Sequence, residues 1–400
     1  MPKSDSPAST PAMAVLAMML GLIPQGLAEA AITASLPDMA HDLGRHGELA
    51  AQMMLGMSAL GLVMGALASG RILEWAGTRR AFLGALLAFA LGGGVGVATG
   101  DLALLYAGRV VVGFAASCIA TTCLWRINAR YTGDGRAKFF GGAGATGGIA
   151  TILSVLAGGA LTQHFGWRMC LLIYPGFAAL ALPIVLAGMD QQRPLPRRPR
   201  ADGASTGYLA ALLPLYGLVL LFYGLIGMAS MQLPFLLELN GAHGAGDRAL
   251  IQGLPGLTSI AGASFFGLVQ HRFGATRSFT ASLGLFVAGL LLFATARTGL
   301  VLPAIGAGAI GLCMGLSGPY FYHIIAQRTE VALAGRYLGY LNAFTFLGVF
   351  ASPMVTAAIK PHTGLAGLFV GGAAMVAGMA LVIGRASAGP APRALSTPLA

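Results

Sequence analysis

The sequence predicts an all-α membrane protein of twelve transmembrane helices, arranged as two pseudo-symmetric halves of six. Three observations carry that expectation. Of 400 residues, 56% are apolar and only 9% charged, with a mean hydropathy of +0.77. A soluble domain carries roughly 25% charged residues, so most of this surface must face lipid. The apolar residues fall in twelve runs, each long enough to cross a bilayer. Finally, one loop pattern recurs at a fixed distance along the chain.

The first six runs lie near 12–36, 49–70, 81–99, 102–125, 139–163 and 169–189. The second six lie near 208–237, 249–270, 278–296, 300–325, 337–359 and 365–384. The first run is too long for a signal-peptide core and is read as a span. Between the sets, 190–207 holds four arginines and three prolines and reads as a linker. The expected organisation is therefore a tail (1–11), a first half (12–189), the linker (190–207), a second half (208–384) and a tail (385–400). Both tails are rich in Pro, Ser and Ala.

The net charge of +11 would suit a nucleic acid, but its distribution does not. Basic residues cluster between spans, where the positive-inside rule puts them. With both termini inside, the cytoplasmic face receives Lys3, Arg71, Arg79, Arg80, Arg126, Arg130, Arg136, Lys138, the linker arginines, Arg272, Arg277, Arg328, Arg336, Arg385 and Arg393. The other face receives only Arg45, Arg168, Arg248, Arg297 and Lys360. The expected partners are the bilayer, protons and a small-molecule substrate, with no nucleic acid and no second subunit. The cysteines Cys118, Cys123, Cys170 and Cys313 sit in or beside apolar runs without metal-type spacing, so they read as small packing residues. No cofactor or metal is expected.

The recurring loop is GRILEWAGTRR, 70–80, between the second and third runs. Its counterpart is GLVQHRFGATR, 267–277, between the eighth and ninth. Gly70, Gly77 and Arg80 match Gly267, Gly274 and Arg277 at a constant spacing of 197. This is an internal repeat of six helices in parallel orientation.

On these residues the chain resembles the major facilitator superfamily, over nearly its whole length. GRILEWAGTRR is similar to that family's signature loop, with Gly70, Glu74, Gly77, Arg79 and Arg80 in register. Glu74 stands where aspartate is usual, and Trp75 where arginine is usual. The resemblance implies gating roles for these five residues, with Gly267 and Arg277 as their second copy. It implies that the acid and arginines form a charge relay latching the outward-facing state. AGRVVVG, around Arg109, resembles the family's fourth-helix arginine motif, and FGWR, 165–168, the turn that opens its sixth helix. In the drug-exporter subgroup a Gly-Pro precedes paired glycines in the fifth helix. Here Ser154 and Val155 precede Gly158 and Gly159, so the proline is missing.

Two charges lie deep inside spans, Glu29 and Arg109. Burying each costs about 2.5–3.5 kcal/mol on insertion scales, and such residues line pathways or pair with one another. Both fall about 10 Å from the outer surface at 1.5 Å per residue. The facilitator resemblance implies that the first, fourth, seventh and tenth helices line the cavity, which would let the two meet across it. Glu29 and Arg109 are thus the candidate proton-coupling residues, with a static ion pair as the structural alternative. An apolar cavity favours the neutral acid, and an approaching cation favours the charged one. Polar and aromatic residues on the same helices are candidate substrate contacts: Gln25, Tyr216, Tyr223, Gln232, Tyr320 and Tyr322, with His323 able to titrate nearby.

No nucleotide-cradling GxxxxGK[ST] loop and no HExxH or CxxC spacing occurs, which argues against an ATP-driven pump and against an enzyme. The expected function is proton-coupled export of small amphipathic organic molecules by alternating access. Proton-coupled uptake of a metabolite or organic anion is the alternative, and a non-transporting receptor or scaffold is a third. Arginine far exceeds lysine, which points to a GC-rich bacterial genome and an inner-membrane location.

Overall fold

The computed structural model describes residues 11–44, 47–130, 133–192, 205–328 and 331–388. Most of the expected tails and linker lies outside these residues. Fifteen helices account for the twelve passes. Pass one comprises α1 (Pro11–Leu20), α2 (Ile23–Ala30) and α3 (Leu36–Asp42). Passes two to five are α4 (Gly47–Ala76), α5 (Thr78–Ala98), α6 (Leu102–Arg130) and α7 (Gly133–Phe165). Pass six is α8 (Trp167–Cys170) with α9 (Ile173–Gly188). In the second half, α10 (Ser205–Leu239) is pass seven, and α11 (Ala245–Gln252) with α12 (Leu254–Phe273) is pass eight. Passes nine and ten are α13 (Ala275–Thr295) and α14 (Val301–Arg328).

The continuous helix α15 (Val331–Ala388) makes two passes. Gly364, at φ 68°, interrupts it. On α10, Gly227 lies against Ser352, and the neighbouring Met228 lies against Gly372. Residues 352 and 372 therefore share one depth, and the chain reverses between them.

Several helices outrun the apolar limits read from sequence. α4 continues to Ala76 and α6 to Arg130, because polar helix formers carry the hydrogen-bond ladder on into water.

The broken passes have a common cause. A proline ring clashes with the carbonyl four residues earlier and supplies no N–H. Pro24 lies four residues past Leu20, where α1 stops. Pro37 lies four past Thr33, in the 3-10 turn before α3. Pro175 lies four past Leu171, between α8 and α9, and Pro255 four past Ile251, at the end of α11.

The repeat is visible in the backbone. Gly77 and Gly274 turn the chain at φ 74° and 80°, and Gly166 and Gly364 at 86° and 68°. L side chains avoid that region, so glycine is required at each turn. Close helix approach repeats too. Gly92 and Gly108 face one another between α5 and α6, as Gly289 and Gly306 do between α13 and α14. In lipid such contacts replace the missing hydrophobic drive between helices. Each half has its own apolar core, one around Phe82, Phe89 and Tyr174, the other around Phe222, Phe279, Phe286 and Phe321.

Candidate functional site

The face where α1 begins and the twelfth pass ends is here the terminal face; the opposite one is the distal face. The site forms between the halves, beside the broken first pass. On α2, Ile23, Pro24, Leu27 and Ala28 are buried. Gln25 and Glu29, one turn apart on the other side, are half-buried. Glu29 makes no hydrogen bond or ion pair with any described residue. It lies in electrostatic reach of Tyr223 on α10, which is also in reach of Tyr322 on α14. Tyr322 is 44% exposed and donates to Asn342 Oδ1 at 2.9 Å. Glu29, Tyr223, Tyr322 and Asn342 are thus linked neighbour to neighbour across both halves, with Gln25 one turn from Glu29 on the same helix. Asn342, on the eleventh pass, escaped the sequence reading, which looked only at the first, fourth, seventh and tenth helices.

The structure does not bring Arg109 to Glu29. Arg109 is 2% exposed and points into the first half. Its Nε donates to Met54 O at 2.9 Å, Nη2 to Ala28 O and Nη1 to the Tyr174 hydroxyl. Its guanidinium also lies 5.1 Å from the Tyr174 ring centroid. The physical reason is the break in pass one. α2 ends at Ala30, which frees the Ala28 carbonyl for the arginine fork.

Three other candidates do not line the space either. Tyr216 is fully buried, donates to Tyr337 O at 3.0 Å and stacks on Phe344. Tyr320 stacks on Phe279 at 4.2 Å inside the second core. Gln232 is buried in a polar knot at the distal face. Tyr216, Tyr320 and Gln232 thus bond or stack within their own surroundings and not beside Glu29. The His323 side chain lies outside the described residues.

That knot belongs to a closure that the sequence reading missed. Glu48 on α4 accepts from Lys360 Nζ and, at 3.1 Å, from Gln232 Nε2, while Lys360 also donates to Gln232 Oε1 at 3.0 Å. Arg248, with 0% side-chain exposure, donates to Asp38, to Ala34 O at 3.0 Å and to His243 O at 2.9 Å. His41 contacts Glu238 at 3.0 Å, and Gly246 N–H donates to Gln163 Oε1 at 2.9 Å. The ties at Glu48, Asp38, Ala34, His41 and Gln163 join the two halves near the distal face, while Lys360–Gln232 and Arg248–His243 brace the second half. A sequence signal existed: Asp38 and Glu48 flank the first distal loop, while Arg248 and Lys360 flank distal loops of the second half.

At the terminal face, among the described residues, the signature loop bonds only within its own half. Thr78 Oγ1 donates to Asp190 O at 3.2 Å, Arg79 to Leu186 O at 3.2 Å, and Arg80 N–H to Gln191 Oε1 at 3.3 Å. Gln191 Nε2 donates to Ala76 O at 3.0 Å. Gly77 must be glycine twice over: its φ is positive, and a Cβ would sit 2.5 Å from Gln191 Nε2. Glu74 has no partner among the described residues, and neither Gly70 nor Gly267 has a neighbour near its Cβ position. Arg277 is exposed. Trp75, 88% exposed, suits the interfacial aromatic belt.

A membrane bundle whose halves are tied at one face around an unpaired carboxylate is a transporter in class, with a path to gate and no bond to break. The chain belongs to the Major Facilitator Superfamily, which it matches over residues 18–353. A puromycin resistance protein of Streptomyces alboniger is 34% identical over 152 residues, 38% of this chain and 30% of that protein. A rubrofusarin-specific efflux pump of Gibberella zeae is 30% identical over 178 residues, 43% of this chain and 32% of the pump. The chain thus matches about a third of the length of these two relatives. A chloramphenicol resistance protein of Streptomyces lividans is 28% identical over 355 residues, 84% of this chain and 86% of that protein. Among solved structures, the POT family transporter PepTSo superposes with TM-score 0.78 at 11% identity, covering 95% of this chain and 98% of its own. The human organic anion transporter MFSD10 does so with TM-score 0.68 at 17% identity, covering 94% and 100%.

Proposed function

We propose that this transporter exports small amphipathic organic molecules across a bacterial inner membrane in exchange for protons, by alternating access. The observation that carries the reading is Glu29, a half-buried carboxylate between the halves with no partner among the described residues. An acid so placed can hold a proton or meet a substrate, and each occupant disfavours the other. The aromatic lining at Tyr223 and Tyr322 suits an organic body. The relatives named as resistance proteins and an efflux pump support the outward direction. The terminal face is the cytoplasmic one, since the basic residues gather there. The distal ties then hold an inward-facing conformation in which the Glu74 latch is open.

Puromycin and chloramphenicol are the first compounds to try, in purified vesicles with an imposed pH gradient. An exchanger concentrates its substrate in acid-inside vesicles, and a symporter in acid-outside ones. Glu29→Gln should abolish uphill accumulation and keep downhill counterflow. Uphill accumulation by Glu29→Gln, or accumulation only in acid-outside vesicles, would sink the reading.

A further inference from the structure

Pass one is interrupted just beyond Glu29, and two buried side chains take hold of the loose end. Ala28 O accepts from Arg109 Nη2. The preceding carbonyl, Leu27 O, which accepts the Ala31 N–H at 3.2 Å within the helix, also accepts from the Tyr174 hydroxyl at 3.4 Å, and that hydroxyl in turn accepts from Arg109 Nη1. The grip is anchored on pass two, where Arg109 Nε donates to Met54 O. Tyr174 is fully buried, with its ring edge-on to Phe89 at 5.4 Å. Consecutive carbonyls at the end of α2 are therefore fixed from passes four and six.

Glu29 follows directly after these carbonyls. One residue turns the helix by about 100°, so holding Leu27 and Ala28 against the first core aims Glu29 away from it, into the space between the halves. The grip is one of hydrogen-bond geometry. Arg109 has no ion pair with any described residue, and its partners are two carbonyls and a hydroxyl.

We infer that Tyr174 is a positioning residue for Glu29, acting through Arg109 on the backbone of the first pass. This rests on the reading of Glu29 as the proton carrier, but its geometry can be tested separately. Phenylalanine at 174 keeps the ring and loses only the hydroxyl. Lysine at 109 keeps the charge and loses the fork that reaches three acceptors at once.

The first measurement needs no substrate. Cys118, Cys123, Cys170 and Cys313 are all buried, so background thiol reactivity is low. Glu29→Cys is labelled with a charged methanethiosulfonate reagent in vesicles, with Tyr322→Cys as the reference position. Adding Tyr174→Phe or Arg109→Lys should slow labelling at 29 by about tenfold, the ratio 1.4 kcal/mol sets, and leave 322 unchanged. An unchanged rate at 29 in Tyr174→Phe overturns the inference. So does a wild-type rate in Arg109→Lys, which would show that charge suffices. The second measurement is puromycin accumulation against pH. Tyr174→Phe should displace the pH profile while downhill counterflow stays within about threefold. A wild-type profile counts against the positioning role. Uphill transport by Glu29→Gln instead sinks the proton-carrier reading, and the labelling rates still decide the positioning.

Discussion

The two halves share one frame and differ in what they bury. Gly92 and Gly108 meet in the first half as Gly289 and Gly306 do in the second. The residue after Gly108 is Arg109, and the residue after Gly306 is Ala307. Tyr174 has Gly372 as its counterpart, at the 198 spacing of Gly166 and Gly364. A Cβ on Gly372 would already sit 2.8 Å from Met228. Where the first half places an arginine and a phenol, the second places small residues among apolar side chains. The difference teaches that the repeat supplies packing, while the buried arginine–phenol network was built into one copy. The broken first pass explains why that copy tolerates a buried cation, since its freed Ala28 carbonyl needs a donor.

The largest expected effect comes from removing that cation. Arg109→Leu leaves Ala28 O without its donor and takes one bond each from Met54 O and the Tyr174 hydroxyl, and a buried unpaired group costs about 1–3 kcal/mol. Ala307→Ser, its counterpart, should change stability by less than about 1 kcal/mol, because a serine hydroxyl can return to its own helix carbonyl. Thermal unfolding of both variants in detergent measures the contrast. Similar midpoints would break the distinction between the halves.

The second effect concerns the ties between the halves. Arg248 is fully buried and joins α11 to Asp38 and Ala34 of the first pass. Asp38 is 36% exposed, so losing this pair costs less than the about 3–5 kcal/mol of a fully buried one. Arg248→Ala should therefore depopulate the distal-closed conformation. Spin labels at Gly100→Cys and His243→Cys, both exposed near the distal face, should then show longer distances. Unchanged distances would mean that the Glu48, Lys360 and Gln232 knot closes the face alone.

Much of the frame was legible in the sequence. Apolar runs marked the spans because lipid admits little else, and the repeat followed from glycines that a positive φ demands. The deep charges were legible as well, since so few residues of that kind enter a span. Their arrangement was not. Whether Arg109 faces Glu29 or the helix core depends on a break in pass one, and that break depends on where Pro24 and Pro37 fall in the turns. Gln232 and Tyr216 illustrate the same gap. Hydropathy places a residue in a span, but its direction follows from which faces pack, and that is set by contacts between distant segments.

The smallest effect is expected at the terminal face, and it sharpens the contrast with the distal one. Glu74 has no partner among the described residues, so Glu74→Gln removes no described contact. Thermal stability should stay within about 0.5 kcal/mol of wild type, as for a surface change. Substrate affinity should stay within about threefold, or 0.7 kcal/mol, because the loop is remote from Glu29 and Tyr223. What should fall is turnover. Under the proposed alternating access, cycling requires the distal face to open and the terminal face to close, and the resemblance of this loop to the family's signature implies that Glu74 serves that second closure. Losing the latch destabilises one end of the cycle and leaves the other untouched, so initial rates drop while binding is retained. Transport rates and equilibrium binding on the same preparation separate the two. A large loss of affinity at normal turnover would place Glu74 in the substrate path and remove the latch from the cycle.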